Sequence, residues 1–144
     1  MRYLNHRYPD CFWSDPDLFF TDGPLVNFGS DFALMPSEFE PGGIVQHEFF
    51  CAHTPVIAFR TGGLKDSVFE FDPNTKKGNG FNFMSYDHED FKRCLRRALA
   101  VYPNREAYLK LRENAFDSVI EEEDVAKGWN NEFYRIQNKI YIDW

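Results

Sequence analysis

The feature that most limits the fold is a pair of short, unbroken apolar runs, Phe32–Met35 within "DFALMPS" and Val56–Phe59 within "PVIAF". Neither alternates with polar residues, so neither suits a sheet with one wet face. Both suit strands covered on two sides, as in a parallel sheet. Parallel neighbours need a crossover between them. The intervening chain supplies one: a proline–glycine turn, then a mostly apolar segment from Gly43 to about Ala52. Pro55 opens the second run, a position that a strand tolerates. Strand, helix, strand with short joins is the βαβ unit.

The chain beyond Phe59 extends that unit. In "KKGNGFNFMS", Phe81 and Phe83 alternate with polar neighbours, which predicts a further short strand. Phe91, Cys94, Leu95, Ala98, Leu99 and Tyr102 then fall at helical spacing, with Asp87 as cap and Pro103 as stop. Asn104 caps a second helix with Tyr108, Leu111, Ala115 and Val119 on one face. A third runs from about Asp124 to Ile140 with Val125, Trp129, Phe133, Ile136 and Ile140, its Trp129 and Phe133 expected in the core. Residues 1–30, with three prolines and two glycines, read as a loop-rich segment with short helical turns after Ser14 or Asp22. The order is that of the carboxyl-terminal half of a doubly wound α/β domain over residues 31–144. It has three or four strands where about five or six are usual.

Composition narrows the partners. A net charge of −7 and a sequence pI near 5.0 argue against nucleic acid and anionic membrane surfaces, which need a basic footprint. Sixteen phenylalanines imply a dense core or a face built to meet another domain. Cys11, Cys51 and Cys94 are odd in number and widely spaced, so they read as reduced, mostly buried thiols. No run approaches the roughly 20 apolar residues that cross a bilayer, and "MRYLNHRYPD" has no signal-peptide core. A soluble cytoplasmic protein is expected.

Two turns carry candidate chemistry. In "PSEFEPGGIVQHEFF", Pro41 pushes Glu40 toward extended or turn backbone, and Gly42 and Gly43 remove side chains where a helix begins. A helix start carries about half a positive charge and favours a phosphate or an electron-rich sugar oxygen. Glu48, counted from Gly43, would sit roughly 7.5 Å along the axis, so the two acids address different parts of one ligand. The second turn, "RTGGLKD", comes after the Val56–Phe59 strand and offers Thr61, Gly62 and Gly63, with Arg60 and Lys65 as nearby positive charges. Ligands of open α/β sheets bind beyond the carboxyl ends of the strands, so both turns are expected on one rim. On spacing alone the first turn also reads as an ordinary helix start with two solvated glutamates. The histidines do not converge on a metal, and no phosphate-loop or dinucleotide fingerprint calls for a cofactor.

Together "GSDFALMPSEFEPGGIVQHEFF" and "HTPVIAFRTGGLKDSV" resemble the carboxyl-terminal domain of glycogen and starch synthases, glycosyltransferases of the GT-B fold. The pattern spans roughly residues 23–83 and displaces the reading of two solvated glutamates. Residues 31–144 then become a partial GT-B domain. The resemblance implies transfer of glucose, with retention, from ADP-glucose or UDP-glucose to the non-reducing end of an α-glucan acceptor. Glu40 becomes the acid beside the donor sugar, stabilising positive charge at its anomeric carbon. Gly42 and Gly43 become backbone donors to sugar and diphosphate, and Glu48 the second acid, near the nucleotide. Thr61, Gly62 and Gly63 form the loop beside the donor. The family's frequent cysteine after the proline is Gly42 here.

The family also uses an amino-terminal domain, and an Arg and a Lys upstream of the Glu40 position. Only 39 residues precede Glu40. The expectation is therefore a fragment with little or no transferase activity alone, completed by the missing amino-terminal domain or by a full-length relative. A truncated, non-catalytic nucleotide-sugar or glucan binding module is the alternative.

Overall fold

The computed structural model describes residues 2–14 and 23–142. Its elements run α1 (Arg2–Arg7), α2 (Gly23–Gly29), β1 (Ala33–Met35), α3 (Val45–Cys51), β2 (Val56–Phe59), α4 (Leu64–Ser67), β3 (Gly80–Phe83), α5 (His88–Val101), α6 (Arg105–Phe116) and α7 (Glu122–Ile142). The three strands form one parallel sheet in the order β1-β2-β3, with Ala33 beside Val56 and Val56 beside Gly80. The α/β reading therefore holds, with a short parallel sheet and helices.

β2 shows why its run lacks polar residues. Ile57 faces one core with Phe81, Phe83, Cys94, Ala98, Tyr108 and Leu111. Val56 and Ala58 face the other, with Ala33, Met35, Phe50, Leu64 and Val68. A central parallel strand has no wet side, so no polar alternation survives. β3 forms where the alternation of Phe81 and Phe83 with polar residues predicts a short strand, and Gly80, Phe81, Asn82 and Phe83 are all buried in it. Asn82 is tolerated because its side-chain amide donates to the Val68 carbonyl at 2.8 Å.

The sheet's two margins differ. Along β3, the Glu70 carboxylate accepts from the Asn82 N–H at 2.7 Å, and the Arg97 guanidinium donates to both Glu70 and the Asn82 carbonyl. β1 has no strand on its outer side among the described residues, and Leu34 is 54% exposed there.

Of the helices packed around the sheet, α5 and α6 carry side-chain caps, whereas α3 and α4 do not. Asp87 accepts from the Glu89 and Asp90 N–H groups, and Asn104 from that of Ala107. Tyr108, 1% exposed, donates to the Asp31 carboxylate at 2.8 Å and so ties α6 to the approach to β1. Thr54, fully buried, donates to the Asn27 carbonyl at 2.8 Å and anchors α2 beside the end of α3. The cap expected at Asp22 lies outside the described residues, immediately before α2.

Two expectations fail. Among the described side chains of α7 none is buried; Trp129 and Phe133 stack on each other but remain about three-fifths exposed, at 60% and 59%. Their helical register marks an apolar face, and nothing in the described residues covers it. Of the cysteines only Cys94 is buried, its thiol pushed up to about 12 by that burial. Cys11 and Cys51 are exposed.

Candidate active site

β1 and β2 are parallel neighbours, so the chain leaves both at the same rim of the sheet. The turn after β1 carries Glu40, Gly42 and Gly43; the turn after β2 carries Thr61, Gly62 and Gly63. They touch. The Gly63 N–H donates to the Glu40 carbonyl at 3.1 Å. A Cβ placed on Gly62 would lie 1.5 Å from that same oxygen, and one on Gly63 would lie 1.7 Å from the Gly42 carbonyl oxygen. The second glycine pair exists first of all so that one turn can lie against the other. Gly62 also adopts a φ of +44°, which side chains rarely take.

This packing refines the donor inventory. The Gly63 N–H is spent inside the protein and does not face a ligand. Among the described residues the N–H groups of Gly42, Gly43 and Gly62 have no acceptor. Gly42 is open in a second sense: a Cβ there would meet nothing within 4 Å, so the site accepts a side chain such as the cysteine of the resembled family. Gly43 takes a φ of +70° and turns the chain into α3.

α3 begins at Val45 rather than Gly43. Glu48 is thus its fourth residue, about 4.5 Å along the axis at 1.5 Å per residue and not the 7.5 Å expected. It lies in the first turn, where a carboxylate is favoured by the helix dipole, and it is exposed. Glu40 is half-buried at the turn itself. Thr61 is half-buried and its carbonyl accepts from the Leu64 N–H at 3.0 Å, starting α4. Arg60 and Lys65 are exposed and make no ion pair among the described residues.

Behind the turns stands Gln46, a residue that the motifs alone do not single out. It is fully buried; its side-chain amide donates to the Gly43 carbonyl at 2.7 Å and lies 3.2 Å from the Ser67 hydroxyl. Nothing in the sequence sets it apart from the polar residues His47 and Glu48 that follow it in the same helix.

Two of the histidines, His47 and His53, pack on aromatic rings. His53 stacks on Phe116 with ring centroids 4.2 Å apart, and His47 meets Phe50 edge-on. A surface groove of about 560 Å³ lies before β3, on the side of the sheet where the strands begin, lined by Phe69, Lys76, Lys77, Asn79, Lys110 and Asn114. Its amides already serve the backbone: Asn114 donates to the Lys76 and Gly78 carbonyls, and Asn79 to that of Ser67. The two turns, at the opposite rim, are the better candidate site.

Residues 23–117 match the family model of glycosyl transferases group 1. The chain belongs to that family. Among its group 1 relatives, the glycogen synthase of Alkaliphilus metalliredigens is 36% identical over 85% of this chain and 26% of its own length. That of Kosmotoga olearia is 41% identical over 80% of this chain and 24% of its own. The catalytic domain of Starch Synthase IV from Arabidopsis thaliana, solved bound to ADP and acarbose, superposes with a TM-score of 0.72 at 27% identity, over 93% of this chain and 28% of that one. The resemblance to glycogen and starch synthases of the GT-B fold is therefore sound. The chain spans about a quarter of the length of the curated glycogen synthases it matches.

Proposed function

We propose that this chain forms the donor-sugar side of an α-glucan synthase site, for retaining transfer of glucose from ADP-glucose or UDP-glucose to a glucan non-reducing end. One observation carries the reading: the Glu40 turn and the Thr61–Gly63 turn are hydrogen-bonded to each other at the carboxyl rim of a parallel sheet. A ligand seated there meets a carboxylate and unspent backbone donors from the same side. Glu40 stabilises positive charge growing at the anomeric carbon. The N–H groups of Gly42 and Gly43, with the start of α3, take the sugar and the departing diphosphate; Glu48 lies toward the nucleotide. Exposed Arg60 and Lys65 add local positive charge to an otherwise acidic chain. No resident cofactor is required.

One wall of a cleft does not exclude water or align two substrates, and those effects supply much of a transferase's rate. These residues, taken alone, accordingly bind donor with negligible turnover, and their productive partner is an amino-terminal domain, whether of the same protein or of a full-length relative. A binding module without catalysis is the second reading, favoured by the same half-site. A cytoplasmic location belongs to the same proposal. No helix among the described residues is long and apolar enough to cross a membrane.

Titration calorimetry with ADP-glucose and UDP-glucose tests the donor site: millimolar or tighter binding is expected, lost on Gly43→Val. A radiolabelled glucose-transfer assay separates the two readings. Incorporation by the isolated chain that disappears in Glu40→Ala would overturn the expectation of inactivity.

A further inference from the structure

The contact between the two turns is backed by a partly buried polar relay. From the Gly43 carbonyl it passes to the Gln46 amide at 2.7 Å, then to the Ser67 hydroxyl at 3.2 Å, and that hydroxyl donates to the Gly63 carbonyl at 2.8 Å. The direct bond from the Gly63 N–H to the Glu40 carbonyl closes the loop. The Ser67 carbonyl in turn accepts from the Asn79 side chain at 2.9 Å, which also donates to the Ser118 hydroxyl. The relay is thereby pinned to the approach to β3 and to the end of α6.

Two details show that Gln46 serves the turns rather than merely filling space. It is fully buried, yet its Oε1 has no partner among the described residues. An apolar side chain of similar length would avoid that unpaired oxygen, so the amide is there for its donors. Gly43 and Gln46 are also matched in shape: a Cβ on Gly43 would lie 2.6 Å from Oε1 and 2.8 Å from Nε2. Any residue but glycine at 43 would displace the amide that holds its own carbonyl.

We propose that Gln46 and Ser67 are positioning residues that fix the spacing of the Gly43 and Gly63 turns, and with it the presentation of Glu40 and the free N–H groups of Gly42 and Gly43. The link to donor binding rests on the function proposed above; the mechanical role does not. Gln46→Glu swaps a double donor for an acceptor-only carboxylate, so it should break the relay as Gln46→Ala does. Ser67→Thr keeps the hydroxyl and should preserve it; Ser67→Ala should not.

Amide hydrogen exchange by NMR on the full chain tests this, because the Gly63 N–H is the bond between the turns. In Gln46→Ala, Gln46→Glu and Ser67→Ala its protection should fall about tenfold or more, the order expected for loss of one buried hydrogen bond. The Ile57 and Phe81 amides, in the sheet, should keep their protection, and Ser67→Thr should match the unaltered chain at all three. Unchanged Gly63 protection overturns the proposal. So does a loss shared equally by Ile57 and Phe81, which would mean global destabilisation. Calorimetry with ADP-glucose and UDP-glucose on the same variants should show about tenfold weaker binding wherever Gly63 loses protection, and near-normal binding in Ser67→Thr. If the unaltered chain binds neither sugar nucleotide, the donor-site reading falls while the exchange data still decide the relay. If it binds and the variants bind equally well despite a loosened Gly63, the claim of positioning for ligand fails.

Discussion

α6 and α7 are consecutive along the chain and both carry apolar residues at helical spacing, yet they end in opposite circumstances. α6 buries Ala107, Tyr108, Leu111 and Ala115 against the sheet. α7 leaves Val125, Trp129, Phe133 and Ile136 between 45% and 60% exposed. α6 also begins at a true cap, Asn104, whereas α7 opens on three successive acids that favour a helix start through the dipole. Periodicity therefore reports that a helix has an apolar face. Whether the same chain covers that face is a tertiary fact, decided by what lies beside it.

The contrast yields an ordered set of measurements. Leu111→Ala should lower the unfolding free energy by about 2–5 kcal/mol, the range for a fully buried leucine, as read by urea titration. A loss below that range would mean that α6 is not a structural wall of the core. Asp87→Ala should cost about 1 kcal/mol by removing the α5 cap, with thermal melts as the check. Asp90 sharpens the same region through pH. Hydrogen bonds from the Ser85 and Met84 N–H groups hold its carboxyl below the ordinary range. A carboxyl lowered in the folded state adds stability above its unfolded pKa and loses it as pH falls through the folded one. The Tm gap between the unaltered chain and Asp90→Asn should thus be widest near neutrality and close in acid. Trp129→Ala should shift stability by no more than about 0.5 kcal/mol, as for an exposed side chain. A larger loss would show that the α7 face is covered after all.

Much of the architecture is legible in the sequence because it is local. Two apolar runs without alternation place β1 and β2, and Asp87 and Asn104 mark the starts of α5 and α6. The common rim of the two turns is a consequence of parallel strands alone. The features that escape depend on neighbours distant in sequence. The burial of Asn82 in β3 makes sense only once the Val68 carbonyl is seen to accept from its side-chain amide and Glu70 from its backbone N–H. Gly62 and Gly63 read as room for a ligand, where the first occupant of that room is the other turn. Gln46 looks like any polar residue in a helix until its burial and its two partners are seen.

The unequal margins of the sheet bear on how the molecule behaves when crowded. At β3, Glu70 and Arg97 have already taken up backbone groups that an incoming strand would use. At β1 the guard is brevity: three residues, closed off by Pro36. Among the described residues, a strand approaching that margin would meet the backbone of three residues only, too short a run to hold a long pairing register.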